Sequence, residues 1–124
     1  MPVERSHEHP THDLGGNTIT SLAAPSRGST EVALFRTEVP PGGGLPRHHH
    51  DHLDVFTVER GGGTFHIGEE TFELTAGDSV VVPIGEVHYL VAGPEGASMV
   101  VTMLAGTILV RADDGVELVP PWVS

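Results

Sequence analysis

The chain has 124 residues, 38% of them apolar, and a formal net charge of −11 from 17 acids against 6 bases. That length is one domain with one core, and that charge repels phosphate, which argues against nucleic acid and anionic membrane as partners. All six bases are arginine and there is no cysteine, which excludes Schiff-base and P-loop lysine chemistry, disulfides, thiolate nucleophiles and cysteine-ligated zinc.

Taken in chain order, the first thirteen residues hold no apolar run of the kind a signal peptide needs. No later stretch approaches the roughly 20 apolar residues of a membrane span. With cysteine absent, a cytoplasmic setting is expected. Residues 1–28 are polar, broken by Pro2, Pro10, Pro25, Gly15 and Gly16, and predict a loosely ordered arm with one strand-like patch near Ile19. From residue 29 to 124 the texture is that of a barrel. Residues 31–39 form a strand stopped by Pro40 and Pro41, and 42–44 a glycine loop. Residues 48–50 end one strand and 54–59 begin the next. A turn is expected at 60–63, then a hairpin of 64–67 and 70–74. Residues 79–82 are a β-branched run, 83–86 a tight connection and 87–91 a strand. After a turn at 93–96 come the apolar run 99–104 and short strands at 107–111 and 116–119. About ten short strands with frequent turns, and no segment with helical period, predict an all-β fold of barrel or sandwich type.

Nine histidines is a high count, and their placement carries the chemistry. Residues two apart on a strand share a face. His48 and His50 therefore aim two imidazoles at one point, and His49 points away. A hairpin over 51–53 returns the Asp54 carboxylate to the same side. Two imidazoles and a carboxylate make a nitrogen and oxygen site for a metal. His88 is the lone histidine of a later strand, among apolar neighbours. His52 falls in the turn and His66 reads as an exposed strand residue. His7 and His9 flank Glu8 in the arm, where metal binding is adventitious.

The stretch Gly42-x5-His48-x-His50-x3-Asp54-x6-Gly61 resembles the first motif of the cupin family, with Asp where that family usually has Glu. The stretch Gly77-x5-Pro83-x-Gly85-x2-His88 resembles the second motif, with Ala92 where it commonly ends in Asn. The resemblance covers roughly residues 31–110. It implies a single jelly-roll barrel of the quercetinase-like type, with one divalent transition metal (Fe, Mn, Ni, Zn or Cu) held by His48, His50, Asp54 and His88. It also implies a homodimer paired through sheet edges. Aspartate is shorter than glutamate by about 1.5 Å of reach. Asp54 therefore binds the metal directly after a backbone shift, binds through water, or orients a ligand.

Strand parity places Phe56, Val58 and Leu90 in the substrate pocket, with one face of the run 99–104 (Met99, Val101 and Met103, or else Val100, Thr102 and Leu104) and with Glu86 at its rim as a candidate catalytic base. An apolar lining suits a small hydrophobic or phenolic molecule rather than a sugar phosphate. The expected function is a metal-dependent, dioxygenase-like oxidoreductase. A zinc-dependent cyclase or isomerase of polyketide type is the alternative, and a non-catalytic binding module is a third reading.

Overall fold

Branched and aromatic residues set the strand pattern, and glycine and proline set where strands bend or stop. The computed structural model describes residues 3–124. Ten strands follow in chain order: β1 (Thr11–Leu14), β2 (Asn17–Ala23), β3 (Val32–Val39), β4 (His48–His50), β5 (Asp54–Ile67), β6 (Glu70–Thr75), β7 (Ser79–Val82), β8 (His88–Leu104), β9 (Leu109–Arg111) and β10 (Glu117–Leu118). Helix among the described residues is confined to 3-10 turns at Ser6–Glu8, Pro25–Arg27 and Pro121–Val123. None of it is long and apolar enough to cross a membrane. All ten strands join one antiparallel sheet. The fold is all-β, as the sequence predicts.

The long strands β5 and β8 are the spine. β8 pairs with β3 and β4 along one edge and with β5 along the other. β5 also carries β6 and β7. The turns expected at 60–63 and 93–96 do not interrupt these strands. Both strands bend there and continue. The glycines allow it: a Cβ on Gly61 would lie 2.0 Å from the Gly96 carbonyl oxygen, and one on Gly63 would lie 2.2 Å from that of Val91. Only a residue without a side chain lets the two backbones approach so closely. Register shifts between Val58 and Arg60 and between Gly61 and Gly63 mark the bulges. Because of the bend, both ends of β5 reach the same place. Ile67 pairs with His88 in register, and Asp54, at the other end, lies 3.7 Å from the same histidine.

Of the loosely ordered arm expected over residues 1–28, residues 1 and 2 lie outside the described residues, and much of the rest is strand. β1 and β2 form a hairpin, and β2 pairs with β3 from Thr18 to Ala23. The inward residues of β2 are Asn17, Ile19 and Ser21. Two of the three are polar, so the apolar alternation that marks a strand is missing from the sequence.

Inward positions elsewhere alternate as a half-buried sheet requires. Ala33, Phe35 and Val39 of β3, Phe56 and Val58 of β5, Leu90 of β8, and Met99, Val101 and Met103 further along β8 make one core with Trp122 and Val123.

Candidate metal centre

Alternation along β4 turns His48 and His50 inward and leaves His49 half-buried between them. His48 pairs with His88 across the β4–β8 ladder. Register thus sets the third imidazole beside the first two. Ring centroids lie 4.8 Å apart for His48 and His50, 4.3 Å for His48 and His88, and 5.3 Å for His50 and His88. One ring nitrogen from each lies within 4.8 Å of the others. Asp54 opens β5 opposite Met103 and Val82. Its Oδ2 is 3.5 Å from His50 Nε2 and 3.7 Å from His88 Nε2, and its side chain is 1% exposed.

The hydrogen bonds behind the rings decide which nitrogens face the centre. His48 Nδ1 lies 2.7 Å from the Pro46 carbonyl oxygen, and His88 Nδ1 lies 2.9 Å from that of Glu86. A carbonyl only accepts, so Nδ1 carries a hydrogen in both rings, and Nε2 is the nitrogen left to face the centre. Burial, reinforced by the neighbouring His88 imidazole, pushes the pKa of His48 down to about 3 and that of His50 down to about 4. Both are therefore neutral and able to ligate near pH 7.

Buried polar atoms normally find partners. Here His50 Nδ1 and Nε2, His88 Nε2 and both Asp54 oxygens have none. Separations of 3.5 and 3.7 Å between Asp54 and two Nε2 atoms are long for hydrogen bonds. They match the spacing of about 3.4 Å between two tetrahedral ligands each about 2.1 Å from one zinc. Three clustered imidazoles are a donor set for a divalent transition metal, and the three histidines fit one, with the Asp54 carboxylate beside two of them.

The family model for the Cupin domain matches residues 35–105, more than half of the chain. The chain belongs to the cupin family. Its fold is similar to that of the polyketide cyclase RemF from Streptomyces resistomycificus, with TM-score 0.75 and 21% identity over 93% of this chain and 89% of that one. It is also similar to an RmlC-like cupin from Shewanella frigidimarina, with TM-score 0.73 and 24% identity over 84% of this chain and 90% of that one. Salicylate 1,2-dioxygenase from Pseudaminobacter salicylatoxidans aligns with TM-score 0.66 and 21% identity, over 75% of this chain and 27% of its own. These likenesses show the jelly-roll barrel. A comparison with curated proteins finds no match.

In this cupin His48, His50 and Asp54 form one wall of an apolar cavity. Its other walls include Phe35, Leu45, Phe56, Met103, Leu109 and Trp122. Of the expected pocket residues, Phe56 and Met103 line it. Val58, Leu90, Met99 and Val101 do not, and pack in the core nearer the strand bends. Parity tells which face a residue occupies and says nothing of how far along the barrel it lies.

Glu86 is corrected more sharply. Its side chain is exposed and lines an outer groove with Ile67, Phe72 and Val81, away from the cavity. It serves the site through its backbone carbonyl, which orients His88. His52 pairs with Asp51 at the surface, and His66 stacks on Tyr89 with centroids 4.2 Å apart. Phe35 was visible as an inward residue of a predicted strand. Leu45, Leu109 and Trp122 carry no sequence signal, because only the closure of the barrel brings them to the histidines.

Proposed function

We propose that this cupin is a metal-dependent enzyme acting on a small hydrophobic or phenolic molecule, with dioxygenase-like chemistry. One observation carries the reading: buried, unpartnered donors of His50 and Asp54 stand at the wall of an apolar cavity, and His88 clusters with His48 and His50. His48, His50 and His88 would hold one divalent ion, with Asp54 beside them. Such an ion supplies a Lewis acid for an anionic substrate oxygen and a template for its orientation.

The chain's own residues do the rest. Phe35, Phe56, Met103 and Trp122 exclude water and take the apolar body of the substrate. No arginine lines the cavity and the chain has no lysine, so a phosphorylated substrate finds no cationic partner. Asp54 is the one carboxylate in the lining. It takes the base role expected of Glu86, accepting a substrate proton at Oδ1 or Oδ2.

A second reading, zinc-dependent cyclisation or isomerisation of polyketide type, is favoured by the match to a polyketide cyclase over nearly the whole of both chains. Metal analysis of protein purified without a histidine tag, with oxygen uptake on a phenolic panel, decides between them. About one redox-active ion per chain with oxygen uptake is the expected result. Zinc with no uptake replaces it with the cyclase reading. An intact barrel with neither metal nor turnover overturns both and leaves a binding module.

A further inference from the structure

The cavity is too small for the ligands its chemistry suits. Its volume is about 30 Å³, room for a water or two, whereas benzene occupies an apolar cavity of about 150 Å³. Some part of the lining must therefore move before an aromatic molecule reaches the histidines.

Most of the lining cannot move cheaply. Ile19, Phe35, Thr37, Phe56 and Met103 sit within strand ladders. Leu45 is in a loop, but its amide donates to the Leu90 carbonyl at 2.9 Å. Leu45, Pro46 and the 3-10 turn Pro121–Val123 lie outside every ladder, and of these only the turn places an aromatic side chain in the lining. Two hydrogen bonds tie this turn and Ser124 to the rest of the barrel. Ser21 Oγ donates to the Trp122 carbonyl at 2.8 Å, and the Ser26 amide donates to the Ser124 carbonyl at 3.3 Å.

Trp122 is the largest side chain in the lining and the chain's single tryptophan. It is 7% exposed. Its ring lies 6.2 Å, edge-on, from Phe35 of the cavity wall and 5.9 Å from half-buried His12 of β1. A polar relay holds it there. Glu4 accepts from Arg27 Nε at 2.6 Å, Arg27 Nη2 donates to Ser21 Oγ at 2.7 Å, and Ser21 passes its own hydrogen to the Trp122 carbonyl. The relay is the polar tether of the turn, so moving the turn breaks the Ser21 hydrogen bond and uncovers Trp122 and Val123 but breaks no strand ladder.

We propose that Trp122 is the specificity-determining gate of this cavity. Its indole fills the space that a ligand's apolar body takes, and the turn Pro121–Val123 swings aside to admit planar aromatic molecules of one or two rings. The inference rests on the proposed use of the cavity as the ligand site. The gate itself is a property of the apolar walls, so it operates with or without a metal.

The test is calorimetric titration of phenol and of 2-naphthol into metal-free and zinc-loaded protein. Trp122→Ala should tighten 2-naphthol binding at least 10-fold in both forms and phenol by less than about 3-fold. Trp122→Phe, which keeps an aromatic filler and spares the fold, should give a smaller gain in the same order. Ser21→Ala leaves the indole in place and frees the turn. It should speed 2-naphthol association at least 5-fold, read by stopped-flow fluorescence of Trp122. Equal 2-naphthol affinity in wild type and both Trp122 variants, or an unchanged association rate in Ser21→Ala, overturns the gate. Zinc affinity, measured separately by chelator competition, reports on the metal reading alone, while the metal-free titration decides the gate.

Discussion

β5 and β8 build two regions of opposite character from the same two strands. Near the bends, Val58, Leu90, Met99 and Val101 are apolar, fully buried and paired in ladders. Near the strand ends, Asp54 and His88 are equally buried, polar and partly without hydrogen-bond partners. The first region is covered by continuous sheet. The second is covered by a loop and by the turn that carries Trp122. The difference teaches where this barrel keeps its stability and where it spends stability on a site. A core of ladder residues lowers the free energy of folding. Buried donors without partners raise it until a ligand arrives.

The comparison breaks most visibly if the two regions fail to separate on mutation. Met99→Ala deletes a buried side chain beside the bend and should cost about 2–5 kcal/mol of stability. Urea denaturation measures it, and the metal bound per folded chain should not change. His88→Ala should do the reverse. It should lower metal affinity by more than about 100-fold, beyond what loss of a supporting residue costs, and cost less stability in the metal-free protein than Met99→Ala. If both variants lose stability equally and neither loses metal, the polar region is ordinary core.

Asp54 sharpens the contrast at a smaller scale. Asp54→Ala should weaken metal binding about 10–100-fold. Asp54→Glu, which restores the residue the cupin motif usually has, should retain or improve it. Without metal the sign turns over. Asp54→Asn removes a buried carboxylate that has no partner and should leave the metal-free protein at least as stable as wild type. Equal metal affinity in wild type and in the alanine and glutamate variants would remove Asp54 from the site.

The two regions also differ in pH dependence. His48 and His50 are held near pKa values of about 3 and about 4 by burial, against about 6.5 in the unfolded chain. Between those values the unfolded state binds more protons than the folded one. The stability of the metal-free protein is therefore full above about pH 6.5 and falls as pH drops toward 4, by about 1 kcal/mol per pH unit for each histidine. Urea midpoints between pH 7 and 5 check it. A flat profile would mean that these rings are protonated in the folded state.

Much of the centre was legible before the fold was. His48 and His50 share a face by strand parity alone. The resemblance to the two cupin motifs brought in His88 and supported Asp54. The pocket was legible only in part, as Phe56 and Met103 show against Val58 and Met99. Glu86 had the right parity and the wrong position, since a connection just before a strand can send its side chain to either side. The arm was misjudged because β2 buries Asn17 and Ser21, whose amide and hydroxyl are satisfied by the Gly44 carbonyl oxygen and, for Ser21, by the Trp122 carbonyl and the Arg27 guanidinium.

The chain alone carries the all-β class and the shared face of His48 and His50. These follow from local alternation and from short-range spacing, which a chain carries wherever it folds. Only the tertiary structure decided that the glycines at 61–63 and 93–96 bend strands instead of ending them, and that a tryptophan far along the chain closes the histidine cavity. Both depend on the approach of segments distant in sequence. Gly61 reads as a turn until the Gly96 carbonyl is seen 2.0 Å from where its side chain would be, and Trp122 reads as an ordinary apolar residue until the barrel closes around it.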